Sequence, residues 1–125
     1  MAADDRIYQG VKAALIKDGW AIVDDPLKII YKDAVLFADL AAERAIAAER
    51  GKQRIVVEIK SYLGPSLMRD LEQALGQYGL YRTFLKASEP QSPLYMAVGT
   101  LAFSTFFQRE SVKDQMRNEL QALGG

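Results

Sequence analysis

Hydrophobic positions in the first third of the chain change from helical spacing to short strand-like runs. Apolar residues recur every three or four positions from 4 to 18, which predicts a first helix with Asp4 as its N-cap and Gly19 just past its end. The apolar runs that follow are separated by turn-forming residues. They predict three short strands, at residues 20–23, 28–31 and 34–40.

The second half of the chain contains the clearest strand and the longest predicted helix. A β-branched run predicts a strand at 54–62, and Ser66 is then a suitable N-cap for a helix that reaches about residue 87. After a proline-containing loop, the pattern predicts three further elements: a strand at 94–98, a short helix at 101–107 and a charged terminal helix at 109–123.

Residues 41–50 fit two structures. Their Ala, Glu and Arg content favours a helix. A turn-like stretch at 50–53 before a strong strand equally favours a β-hairpin that joins residues 44–49 to 54–61, and this is the interpretation we prefer. The predicted fold class is therefore α/β, a mixed sheet flanked by helices in one domain spanning residues 1–125.

Composition restricts the chemistry that this chain can perform. It contains no cysteine and no histidine, so disulfide scaffolds, Ser-His-Asp sites and histidine-ligated zinc are excluded. Any bound metal must take oxygen ligands, which favours Mg²⁺ or Mn²⁺. Sixteen basic and sixteen acidic residues give zero net charge, which counts against tight autonomous DNA binding. The N-terminus has no signal-peptide character and no apolar run could span a bilayer, so a cytoplasmic protein without membrane partners is expected.

Glu58 and Lys60 are the charged pair on the clearest strand. Because side chains alternate along a strand, both lie on one face, roughly 7 Å apart, and Ile59 lies on the other with Ile55 and Val57. The two charged groups are close enough to meet one phosphate. The alternative is a solvated strand face with an ordinary salt bridge.

Asp39 lies near the end of the apolar run 34–40. If that run pairs beside residues 54–60, Asp39 meets Glu58, and two neighbouring carboxylates repel unless a cation joins them. A divalent metal would account for both acids. The alternative is that Asp39 is a turn or strand-end aspartate.

Gln77 and Tyr81 are four residues apart on the long helix and share one face, from which both could reach a phosphate. An exposed glutamine and a half-buried tyrosine are the alternative. Taken together, an aspartate, a Glu-x-Lys strand and a Gln-x-x-x-Tyr helix resemble the restriction-endonuclease-like superfamily, particularly its RecB-like branch. The resemblance implies that the acidic pair binds magnesium and that the lysine orients or activates the attacking water.

A denser resemblance covers about residues 7–107. Its segments include Lys17-Asp18-Gly19-Trp20, Asp39-Leu40-Ala41-Ala42-Glu43-Arg44, Val57-Glu58-Ile59-Lys60-Ser61, Gly64-Pro65-Ser66 and Ala74-Leu75-Gly76-Gln77-Tyr78 with Tyr81-Arg82. These segments resemble the XisH family of cyanobacterial fdxN-element excision controlling factors. The resemblance implies a nuclease-like fold and control of site-specific excision of a DNA element, with a recombinase and a small XisI-type companion. Two departures are Ala41, where the family usually has glycine, and the polar segment 108–125, where it usually has a strand with a tryptophan.

Two functions are expected from these observations. In the first, the protein is an enzyme. One Mg²⁺ or Mn²⁺ is held by Asp39, Glu58 and the carbonyl of Ile59, and Lys60 stabilises negative charge. Gln77 then positions the DNA substrate, Tyr81 supports it, and Arg69 and Arg82 contact flanking phosphates.

The second function is a non-catalytic regulatory module that holds the companion or the recombinase at DNA. Phe103, Phe106 and Phe107 would then belong to a partner or homo-oligomer surface, with core packing as their alternative. A toxin-antitoxin-like pair is a third possibility that nothing in the sequence selects.

Overall fold

The computed structural model describes residues 5–46, 51–61 and 65–122. Helices and strands follow the predicted order. They are α1 (Asp5–Lys17), β1 (Ala21–Asp24), β2 (Leu27–Tyr31), β3 (Ala34–Ala38), β4 (Leu40–Ile46), β5 (Gly51–Lys60), α2 (Leu67–Ser88), β6 (Leu94–Val98), α3 (Thr100–Ser104), a 3-10 turn (Phe106–Gln108) and α4 (Glu110–Ala122).

The main sheet has the strand order β1-β4-β5-β6. Its first three strands are antiparallel neighbours, and β6 runs parallel to β5 because α2 crosses over between them. Strands β2 and β3 form a separate antiparallel hairpin. The mixed sheet flanked by helices is therefore confirmed, with a small second sheet that was not predicted.

Two of the three helix boundaries that the sequence marked have the expected geometry, and the third, the Asp4 N-cap, lies outside the described residues. Gly19 has a φ of +90°, and the Trp20 N–H donates to the Leu15 carbonyl at 2.9 Å, which closes the end of α1. At the start of α2, the Ser66 hydroxyl accepts a hydrogen bond from the Arg69 N–H at 3.3 Å.

Strand β5 is buried on both faces. Ile55, Val57 and Ile59 are buried, as predicted, and they pack with the apolar side of α1. On the opposite face, Val56 packs beneath α2 together with apolar residues of the β2–β3 hairpin, including Ile29. The face that carries Glu58 is thus interior and not a solvated strand surface, as expected for a central strand covered from both sides.

The C-terminal segment packs against the first half of α2. Phe106 and Val112 are buried there with Leu71 and Ala74, so Phe106 belongs to the core and not to a free surface. Phe107 is half-buried and packs edge-on against Phe106, whereas Phe103 is 59% exposed. The predicted terminal helix is present as α4.

The run 34–40 is not one strand, in contrast to the prediction. The chain pairs with β2 up to Ala38, bends at Asp39, and enters the main sheet at Leu40. An apolar run does not show which partner each of its residues will pair with, so this switch between sheets was not visible in the sequence.

The helix considered for residues 41–50 is wrong over 41–46, which are strand. A hairpin is present, as preferred, but its predicted turn and pairing are wrong. Residues 51–53, expected in the turn, belong to β5, and residues 40–46 pair with residues 51–57. Tertiary pairing has overridden the helix propensity of alanine and glutamate here. Residues 47–50 and Tyr62 lie outside the described part of the chain. Within that part, no helix combines the length and apolar character that a bilayer crossing requires.

Candidate functional site

Two carboxylates meet where the β4–β5 ladder ends. The last paired residues are Leu40 and Val57, and side chains then replace main-chain pairing. The Ile59 N–H donates to Asp39 Oδ2 at 2.7 Å, and the Asp39 N–H donates to Glu58 Oε1 at 2.8 Å. Each acid thereby holds the main chain of the opposite strand, and the predicted meeting of Asp39 with Glu58 is present.

Glu58 is a buried carboxylate with an unfavourable environment for its charge. Only 6% of the residue is exposed. Burial and the nearby negative charge of Asp39 raise the pKa of Glu58 from 4.5 to about 7, despite the opposing effects of the Asp39 N–H and Lys60. The site therefore favours an added positive charge at neutral pH.

Lys60 supplies part of that charge. Its Nζ lies 3.6 Å from Glu58 Oε2 and donates a hydrogen bond to Gln77 Oε1 on α2. The Lys60 side chain is largely buried, so this ammonium is held in place and not extended into solvent. The predicted shared face of Glu58 and Lys60 is thus observed, and Gln77 joins them.

Tyr81 lies near the acids but bonds to a different strand. Its hydroxyl donates to the Phe37 carbonyl of β3 at 3.0 Å. Burial, followed by the negative charges of Glu58 and Asp39, raises the pKa of Tyr81. Gln77 and Tyr81 therefore share one side of α2, as predicted, with Gln77 contacting β5 and Tyr81 contacting β3.

The donor set suits a hard divalent cation. In a strand the N–H and C=O of one residue point to the same side, so the Ile59 carbonyl faces Asp39 as its N–H does. Across the described residues, no group of three or more Asp, Glu, His or Cys side chains could hold a metal. Two carboxylates and a carbonyl are nevertheless a sufficient protein contribution for Mg²⁺, which usually keeps several waters.

The two arginines suggested for flanking phosphates lie in different places. Arg69 is exposed in the first turn of α2. Arg82 lines a cleft of about 270 Å³ between the end of α2 and the loop before β6, together with Lys86 and Glu89. None of the residues that line this cleft belongs to the cluster formed by Asp39, Glu58 and Lys60, the acid–lysine cluster.

Three residues next to the site were not anticipated from the sequence. The Tyr8 hydroxyl lies within hydrogen-bond distance of two acceptors, the Asp39 carbonyl at 3.2 Å and the Asp25 carboxylate, and its one hydrogen is shared between them. Lys12 forms an ion pair with Asp25 at 2.7 Å. The four-residue spacing of Tyr8 and Lys12 marks a common helix face, but nothing in the sequence indicates what that face meets.

The fold and the cluster together define a class: mixed α/β domains whose central strand carries an acid and a lysine beside a second acid. The family model described as XisH protein matches residues 1–123. The chain therefore belongs to the XisH family.

Two solved structures support this membership. An XisH family protein from Nostoc punctiforme PCC 73102 is 39% identical, with a TM-score of 0.80 over 91% of this chain and 84% of that one. An fdxN element excision controlling factor protein from Anabaena variabilis is also 39% identical, with a TM-score of 0.82 over 94% of this chain and 86% of that one. No curated protein matches the chain.

Proposed function

We propose that this protein is a controlling factor for site-specific excision of a DNA element and acts on DNA phosphodiesters at the Asp39–Glu58–Lys60 cluster. The observation that carries the proposal lies just past the end of the β4–β5 ladder, where the Asp39 carboxylate accepts from the Ile59 N–H and the Glu58 carboxylate accepts from the Asp39 N–H. The description of the Anabaena variabilis relative as an excision controlling factor supports the DNA role.

The fold proposed for this activity is restriction-endonuclease-like. An acid precedes the strand β4, the neighbouring strand β5 carries Glu-x-Lys, and the crossover helix α2 leads to the parallel strand β6. This order supports the assignment because it brings an acid pair, a lysine and a helix side chain to one end of a sheet.

Asp39, Glu58 and the Ile59 carbonyl would hold one Mg²⁺ or Mn²⁺. When bound, the cation supplies positive charge that polarises a phosphodiester and lowers the pKa of water beside it. Glu58 favours this arrangement because burial and Asp39 disfavour its ionised form in the absence of added positive charge.

The remaining residues orient the reacting groups. Lys60 is placed to stabilise negative charge that develops on phosphate oxygens, and its bond to Gln77 fixes the ammonium. Tyr81 donates a hydrogen bond to the carbonyl of Phe37, two residues before Asp39, and so stabilises the end of β3 from which Asp39 follows.

A nuclease assay with Mn²⁺ on supercoiled and single-stranded DNA tests this function. Wild-type protein is compared with Lys60→Ala and Glu58→Gln, and Lys52→Ala is the control because Lys52 is an exposed lysine of the same strand. We expect cleavage by the wild type and Lys52→Ala and a loss of at least 100-fold in the two site variants. Equal cleavage by wild type and Lys60→Ala would remove Lys60 from the mechanism.

The second candidate is a catalytically inactive regulatory module that acts with an XisI-type companion and a recombinase. Zero net charge favours it, because autonomous DNA binding usually needs a basic excess. Size-exclusion chromatography with the companion and DNA titration at several salt concentrations separate the two. A stable protein complex without salt-dependent DNA affinity would favour the module.

A further inference from the structure

Asp39 is joined to neither ladder that flanks it. The β2–β3 pairing ends at Ala38 and the β4–β5 pairing begins at Leu40. The Asp39 N–H is bonded to the Glu58 carboxylate, and its carbonyl contacts the Tyr8 hydroxyl at 3.2 Å. Side chains therefore hold both main-chain groups of this residue, and Tyr8 is the one outside the acid–lysine cluster.

Tyr8 is itself held from two sides. Its ring packs with the core cluster beneath α1, and its hydroxyl shares one hydrogen between the Asp39 carbonyl and the Asp25 carboxylate. Lys12, one helical turn after Tyr8, pairs with Asp25 at 2.7 Å, and its ammonium lies 5.4 Å from the centre of the Tyr8 ring. These contacts of Tyr8 and Lys12 thus connect α1 to the turn that follows β1.

We infer that Tyr8 is a positioning residue that, with Lys12 and Asp25, sets the orientation of Asp39 for cation binding. This inference rests on the proposed metal site. Removal of a group that hydrogen-bonds to a metal-binding residue usually weakens metal affinity by about 10-fold to 100-fold. Tyr8 acts here through the main chain of Asp39, because its hydroxyl touches the carbonyl and not the carboxylate.

The test compares Tyr8→Phe with wild type by calorimetric titration of Mn²⁺ alone, without DNA. The substitution keeps the packed ring and removes only the hydroxyl. Tyr78→Phe is the matched control, because the Tyr78 hydroxyl donates to another strand carbonyl, that of Leu94, at 3.0 Å. We expect Tyr8→Phe to bind Mn²⁺ about tenfold more weakly and Tyr78→Phe to bind it like wild type.

A second readout needs no metal. The amide N–H groups of Asp39 and Ile59 are bonded to the two carboxylates, so their ¹H–¹⁵N resonances report on the local geometry. Both should shift in Tyr8→Phe and stay in place in Tyr78→Phe. Unchanged Mn²⁺ affinity in Tyr8→Phe alongside binding by the wild type would overturn the inference. Absence of Mn²⁺ binding by the wild type would instead overturn the proposed metal site.

Discussion

Leu40 and Val57 are the last directly paired residues of β4 and β5, and the two acids lie just past that pair. Main-chain hydrogen bonding between β4 and β5 stops at that pair, so the next N–H of each segment that faces the other can bond a side chain. The Asp39 carboxylate accepts from the Ile59 N–H, and the Glu58 carboxylate accepts from the Asp39 N–H. The candidate site is therefore a consequence of where the ladder ends.

Protein stability should fall as pH rises through 7 because of Glu58. Its pKa is raised from 4.5 to about 7, so the folded state binds this proton more tightly than the unfolded state. That contribution is fully present below pH 4.5 and is lost as pH rises through 7. At about 1.36 kcal/mol per pKa unit, it amounts to about 3 kcal/mol.

Urea unfolding of wild type and Glu58→Gln between pH 4.5 and 8 measures this contribution. The stability of wild type relative to the variant should fall by about 3 kcal/mol across that interval. A constant difference would contradict the titration assigned to Glu58.

Divalent cations should stabilise the wild type at pH 8. A cation at 100 times its dissociation constant adds about 2.7 kcal/mol if it binds only the folded protein. Thermal unfolding with Mn²⁺, Mg²⁺ or neither provides the measurement, and Asp39→Asn is the control because it keeps a hydrogen-bond acceptor for Ile59 but loses the charge. Equal stabilisation of both proteins would show that the cation binds elsewhere.

Removing the charge of Lys60 should raise the pKa of Glu58 further. The Lys60 ammonium lies 3.6 Å from the Glu58 carboxylate and is one of the groups that lower this pKa. In Lys60→Met, the Glu58 carboxyl carbon should titrate above pH 7 when followed by ¹³C NMR. Lys52→Met should leave that titration in place, since Lys52 is an exposed lysine that pairs with Glu43 at 3.8 Å.

Arg54 should contribute more to stability than an ordinary surface arginine. Its guanidinium bonds to Glu89 at 2.7 Å, Glu43 at 3.0 Å and Asp24 at 3.1 Å, thereby joining β1, β4 and the residue that follows α2 to β5. Burial alone would lower the pKa of Arg54, but hydrogen bonds to these acids outweigh it and raise the pKa.

Arg54→Met should therefore lower the free energy of unfolding by about 1–3 kcal/mol, because three acids lose their common partner. Arg117→Met is the control, since Arg117 forms one exposed pair with Asp114 at 2.9 Å and should contribute less than about 1 kcal/mol. Similar losses in both variants, measured by urea unfolding, would argue against a cooperative network.

Two glycine-to-alanine substitutions should have opposite effects. Gly19 has a φ of +90°, which costs an alanine about 1–2 kcal/mol. Gly76 lies inside α2 with open space around its Cα, so alanine should stabilise the protein by about 0.5–1 kcal/mol. Thermal unfolding of the two variants should move in opposite directions, and a gain in Gly19→Ala would contradict the assigned helix end.

The local elements of the site could be predicted from the sequence, and most of its contacts could not. Alternation along β5 correctly placed Glu58 and Lys60 on one face, and helical spacing placed Gln77 and Tyr81 on one side of α2. These relations depend only on the period of a strand or a helix.

The remaining contacts depend on how distant segments pack. The contact between Tyr8 and Asp39 spans 31 positions, and Arg54 reaches acids from three separate segments. No spacing within one element encodes such pairs. The burial of Glu58 was missed for the same reason, because it depends on α2 covering that face of β5.

The groups that donate to the Asp39 and Glu58 carboxylates are peptide amides, which no substitution other than proline removes. Truncating either acid to alanine therefore leaves a main-chain donor without its acceptor, and the loss of folding would be mistaken for a loss of chemistry. Asparagine and glutamine keep an oxygen for those amides, so they are the replacements that separate charge from architecture.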